Sequence, residues 1–202
     1  MLAAAFFPSV TFAWSFYLVL VVVTLVAAYI DWRKLVVPKP LVFITLGAGL
    51  LANGLRGGML GSQGLPVAYL SPGGVAWGVV DGLLFSLAGF LLGFVLFFVL
   101  WLLNTCGGGD VKWFAALGAW LGPLWTLYLL IGTWVVVMFG FVFVGWAVHV
   151  VRFGRRPRQQ QIAYSFPVAL SMIVMLAWVC RVELDLAPPK AVTPQAATRP
   201  VR

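Results

Sequence analysis

The chain has 202 residues, of which 63% are hydrophobic and only 9% charged, and its mean hydropathy is +1.05. Soluble domains carry about a quarter charged residues, so this composition excludes a soluble globular protein and predicts one compact helical membrane domain. The net charge of +8 sits in short segments between apolar blocks, not on a basic helix or an aromatic-basic alternation, which argues against nucleic acid and for loops held in the cytoplasm.

About 20 apolar residues of helix cross a bilayer core. The first block runs from about 12 to 30 without a charge and stops at Asp31. The start, MLAAAFFPSVTFAW, has no basic n-region, so the block is expected to remain as a span and not to be a cleaved signal. In DWRKLVVPKP, Pro38 and Pro40 predict a helix break. A short second block, about 41–55, is expected to end at Asn53-Gly54, before Arg56. GGMLGSQGLPVAYLSPGG then reads as an external loop. A third block covers about 77–103, with Asp81 near its start. Beyond NTCGGGDVK, residues 113–148 carry no charge, and Gly122-Pro123 divides them. A short fourth helix, about 111–121, and a long fifth, about 124–150, follow from that division. RFGRRPRQQQ is a basic loop, and a sixth block covers about 162–180. The fold class is therefore all-α: about six transmembrane helices in a single domain, 1–180. The Pro/Ala-rich tail, 181–202, is expected to be disordered.

Six spans put both termini on one face. With the termini outward, the cytoplasmic loops hold Arg33, Lys34, Lys39, Lys112, Arg152, Arg155, Arg156 and Arg158. The other face holds Arg56, Arg181, Lys190, Arg199 and Arg202. Eight against five, with four of the five in the tail, favours outward termini. Cys106 and Cys180 form no CxxC pair and fall at opposite faces, and His149 has no ligand-type neighbour. Neither a metal site nor a structural disulfide is expected.

Only five acids are present: Asp31, Asp81, Asp110, Glu183 and Asp185. The last two lie in the tail, and Asp81 reads as an interfacial or helix-start acid. Asp31 closes the first span and Asp110 opens the fourth, at the same face. Ionisable groups near the membrane interior are costly and usually functional. Two facing carboxyls would share a proton and supply both an acid and a base, enough to activate water against a peptide carbonyl. Asp110 could equally be a helix cap, and Asp31 with Arg33 and Lys34 an ordinary juxtamembrane cluster. Gly107, Gly108 and Gly109 weigh toward chemistry. Three glycines are a poor choice for a mere cap but suit backbone that lines a wet cavity or pairs with an extended substrate.

Gly107-Gly108-Gly109-Asp110-Val111-Lys112 resembles the GxGDxK motif of type IV prepilin peptidases. Asp31-Trp32-Arg33 followed by Val37-Pro38 resembles that family's other aspartate motif, D-x-R-x-x-x-I-P-N, with Lys39 in place of the Asn. Tyr164-Ser165-Phe166-Pro167 is similar to its P-Y-G-P-A stretch, without the first Pro. The resemblance implies an intramembrane aspartic endopeptidase with Asp31 and Asp110 catalytic. Gly107, Gly108, Gly109, Lys112, Arg33 and Pro38 would support loop and substrate. It implies no cofactor. The partners would be prepilin or pseudopilin substrates, cut after a glycine at the cytoplasmic face of a bacterial inner membrane. The small Flp/Tad-type enzymes are the nearest in kind. The cysteine-motif domain of the N-methylating members has no counterpart here. Two rivals stand beside this reading: a small transporter or proton-coupled channel using the same acids, and a catalytically inactive pilus or secretion assembly subunit.

Overall fold

The computed structural model describes residues 7–34, 37–70, 73–151 and 165–183. Their regular structure is helical throughout: α1 (Val10–Lys34), α2 (Lys39–Ser62), α3 (Val75–Leu102), α4 (Gly108–Val151) and α5 (Ser165–Glu183). Four stretches are long and apolar enough to cross a membrane: Val10–Arg33, Lys39–Ser62, Val75–Leu102 and Gly108–Gly140. α5 adds a shorter apolar run, Pro167–Ala177. The expected basic loop at 152–161, residues 162–164 with Tyr164, and the tail from 184 onward lie outside the described residues.

The packing is that of helices in lipid. Large apolar side chains such as Leu18, Val22, Phe43, Leu51, Leu91 and Val95 point outward. Small residues make the helix contacts, because lipid offers no hydrophobic drive and close backbone approach must supply the attraction. On α2, Gly57 and Gly61 face Gly78 and Gly74 of α3, so that a Cβ on Gly57 would strike the Gly78 carbonyl oxygen. Gly82 lies against the Asn53 backbone in the same way. Farther along α3, Gly89 meets Gly118 and Gly122 of α4, and Gly93 comes within 2.9 Å of the Phe114 carbonyl oxygen, measured from an ideal Cβ. The Gly89/Gly93 pair is the GxxxG of the third span.

This packing corrects one expectation. α2 does not stop at Asn53-Gly54 but runs on to Ser62. Its glycines are helical because α3 lies directly on them. The turn comes at Gly64 (φ 69°), where the Leu65 and Gly64 amides donate to the Leu60 and Gly61 carbonyls. This is the six-to-one closure of a left-handed helix cap.

α4 is broken in the middle. Gly122 is non-helical (φ 72°, ψ 178°) and Pro123 follows. Gly118 and Thr126 are eight positions apart, about 12 Å along a straight helix, yet an ideal Cβ on Gly118 lies 3.3 Å from the Thr126 Oγ1. The break therefore folds the second arm back toward the first, dividing α4 where the sequence predicts it. Pro123 has no N–H for the carbonyl of Ala119, and that oxygen must be satisfied inside the bundle. Asn53 does so from α2, with Nδ2 donating to Ala119 O at 2.8 Å and to Trp120 O at 3.0 Å. From α3, the Ser86 hydroxyl donates to Ala119 O at 2.5 Å. Trp120 Nε1 donates in return to the Thr45 carbonyl at 2.7 Å.

Candidate active site

The site is built where α3 ends and α4 begins. Asn104 adopts a left-handed conformation (φ 56°), which the short amide side chain tolerates. The Asn104 and Thr105 amides donate to the Trp101 and Leu100 carbonyls, closing α3 as Gly64 closes α2. Thr105 Oγ1 adds a second bond to Leu100 O at 2.7 Å. Cys106 Sγ lies 3.6 Å from the Phe97 carbonyl. The chain then re-enters helix, with the Asp110 amide donating to Gly107 O at 3.0 Å.

Gly107 N–H donates to Asp110 Oδ2 at 3.0 Å. An acid at the third helical position reaching back to the cap amide is half of a capping box, and an anion there also meets the positive end of the helix dipole. The first turn therefore fixes the direction of the Asp110 carboxyl. Asp110 leads an inward stripe of α4, followed by the buried Phe114, Leu117 and Leu121. α1 is built alike: Leu20, Thr24, Ala27 and Asp31 share its inward face, all buried, Asp31 with 4% of its surface exposed. The two carboxyls lie close enough to couple electrostatically. Residues 79 positions apart are thus brought to one end of the bundle, Asp31 at the last inward position of α1 and Asp110 at the first of α4.

The glycines differ from expectation in one respect. The fourth helix begins at Gly108, three residues before the expected start, so Gly108 and Gly109 form its first turn. None of Gly107, Gly108 and Gly109 has a positive φ. An ideal Cβ on Gly109 meets nothing within 4 Å, and one on Gly108 comes no nearer than 3.8 Å to Trp101. Neither backbone conformation nor internal packing requires glycine at these two exposed positions.

Of the other predicted residues, Pro38 starts α2 as its cap, with ψ 134°, beside the buried Val37. Arg33 is exposed and its guanidinium lies over the Tyr29 ring at 5.5 Å. Lys112 is exposed beside Asp110. Asp81, near the start of α3, is buried, its carboxylate accepting the Ala68 and Tyr69 amides at 2.8 and 2.9 Å. It pins the loop between α2 and α3 at the opposite end. Among the described residues no three His, Cys, Asp or Glu side chains gather as metal ligands would. Asn53, Ser86 and the fully buried Arg56 were not singled out by sequence reasoning. The Pro123 signal could have found the first two, since a proline in a membrane helix leaves a carbonyl needing a donor.

Fold and site define a multi-pass helical membrane protein with two coupled carboxyls at one end of its bundle. The model of the type IV leader peptidase family matches residues 18–145, well over half of the chain and including both aspartates, and the protein belongs to that family. Its activity is of the membrane leader-peptidase kind, its substrates of the prepilin type. Comparison with curated proteins and with solved structures gave no match.

Proposed function

We propose that the chain is an aspartic endopeptidase that removes the leader of Flp-like prepilins after a glycine, with Asp31 and Asp110 sharing the activation of one water. The observation that carries this reading is geometric: α1 and α4 bring the buried Asp31 and the half-buried Asp110 to one end of the bundle, each on the inward face of its helix. Asp110 sits at a helix N-terminus and accepts a backbone N–H, which favours its anion. It takes the proton from water. Asp31 sits at a helix C-terminus, the negative end of the helix dipole. It gives a proton to the substrate carbonyl as the tetrahedral intermediate forms. The roles then reverse to protonate the leaving amine.

Gly108 and Gly109 leave open backbone beside Asp110, which suits an extended scissile segment lying against the helix start. Lys112 and Arg33, exposed at the same end, would meet substrate carboxylates. Arg33, Lys34, Lys39 and Lys112, the basic residues described at this end, support its facing the cytoplasm of a bacterial inner membrane, with both termini outward. The absence of a cysteine quartet from the sequence supports proteolysis without N-methylation. The test is purified protein in lipid nanodiscs with a synthetic prepilin bearing a basic leader, a glycine and an apolar helix. Mass spectrometry should find one cut after the glycine. An intact substrate, or a cut elsewhere, would refute the assignment.

A further inference from the structure

The break in α4 lies well away from the carboxyls, yet the arm 108–121 that carries Asp110 ends there. Its terminal carbonyls are held by side chains of two other helices. Asn53 is fully buried and spends both hydrogens of Nδ2 on Ala119 O and Trp120 O. Its Oδ1 is buried without a hydrogen bond. An unmet buried acceptor is destabilising, so the side chain is not there for its own satisfaction. What it supplies is two donors from a single atom, a feature no Ser or Thr offers. Ser86 adds a third bond to the same cluster. Phe85, beside it, fills the space over Gly122 where a Cβ would stand, and the Arg56 guanidinium lies 4.5 Å over that ring. Together, α2 and α3 cap in trans a helix that its own sequence leaves open.

From this we propose that Asn53 and Ser86 are positioning residues for the peptidase reaction. By fixing the C-terminal end of the arm 108–121, they set the depth and rotation at which Asp110 faces Asp31. The catalytic part of this inference rests on the aspartyl reading above; the positional part does not. The arm is short and rigid, so a shift at its far end is carried to Asp110. Misplacement by about 1 Å can cost about a hundredfold in rate.

The experiment uses the full chain in nanodiscs, with Cys106→Ser and Cys180→Ser, and spin labels on Trp32→Cys and Lys112→Cys. Both label positions are exposed, one next to Asp31 and the other two residues beyond Asp110. The unmutated pair should give one narrow distance distribution. Asn53→Leu, similar in size but without donors, should broaden that distribution or move its mean. In unlabelled protein that keeps Trp32 and Lys112, Asn53→Leu should lower kcat on a prepilin substrate about tenfold or more and leave KM within about twofold. Ser86→Ala should act in the same direction but less, and Ser86→Thr should restore both readouts. If Asn53→Leu does not accumulate, the Ser86 pair decides. Unchanged distances in Asn53→Leu and Ser86→Ala would overturn the proposal. So would altered distances with kcat intact. A wild-type protein, unlabelled and with Lys112 intact, that cleaves no prepilin would sink the aspartyl reading, while the distances would still decide whether the two residues position the arm.

Discussion

Cys106 lies four residues before Asp110, and its chemistry reports directly on the site. Burial first, and the Asp110 charge second, push its thiol up from an ordinary 9.0 to about 11. The thiolate is the nucleophile. At pH 8 an ordinary thiol of that kind is about 10% ionised and this one about 0.1%, so alkylation should be about a hundredfold slower. A raised value also delays the pH response. The rate in folded protein should climb about tenfold per unit to beyond pH 10 without levelling, whereas the unfolded chain levels near pH 9. A maleimide time course between pH 7 and 10, in a Cys180→Ser background, measures both. Asp110→Asn should speed the reaction without bringing it to the unfolded rate, because desolvation is the larger cause. A slow rate that levelled near pH 9 would mean that access alone limits the thiol. A rate indifferent to Asp110→Asn would refute the placement of that carboxyl beside Cys106.

The two sets of glycines should separate stability from activity. Gly57→Ala forces a methyl group into the Gly78 backbone and should cost about 1–3 kcal/mol, read by denaturation in detergent. Gly109→Ala meets open space and gains helix propensity; its stability should not fall, while prepilin cleavage drops at least tenfold if substrate backbone needs that space. Asp81→Ala removes a carboxylate that accepts two backbone amides. It should raise protease cutting near Tyr69 severalfold, with a stability loss of about 1.5–3 kcal/mol.

Much of the layout was legible in the sequence because membrane helices write their limits in hydropathy. The spans of α1 and α3, the division at Gly122-Pro123 and the two aspartates at one end all follow from charge, proline and block length. The end of α2 was not legible. Gly54, Gly57, Gly58 and Gly61 read as loop by composition, and only the partner helix lying on them makes them helical. The start of α4 was misread for the same reason, since glycine in a first turn looks like glycine in a loop. Asp81 reads the same in sequence whether it caps a helix or pins a distant loop. Asn53 and Ser86 carry no motif at all. Their role exists only because a proline 70 positions beyond Asn53 leaves a carbonyl without its amide.

The most direct test of the central claim is cleavage of a cognate prepilin by the wild type, Asp31→Asn and Asp110→Asn, each reconstituted in lipid and checked for folding. Asn keeps the shape of the side chain and most of its hydrogen bonding but cannot exchange a proton with water. The wild type should release the leader and each single variant should release none. Residual cleavage by either variant at more than about a hundredth of the wild-type rate would contradict a shared aspartyl mechanism, since loss of one member of a catalytic unit costs nearly as much as loss of the whole.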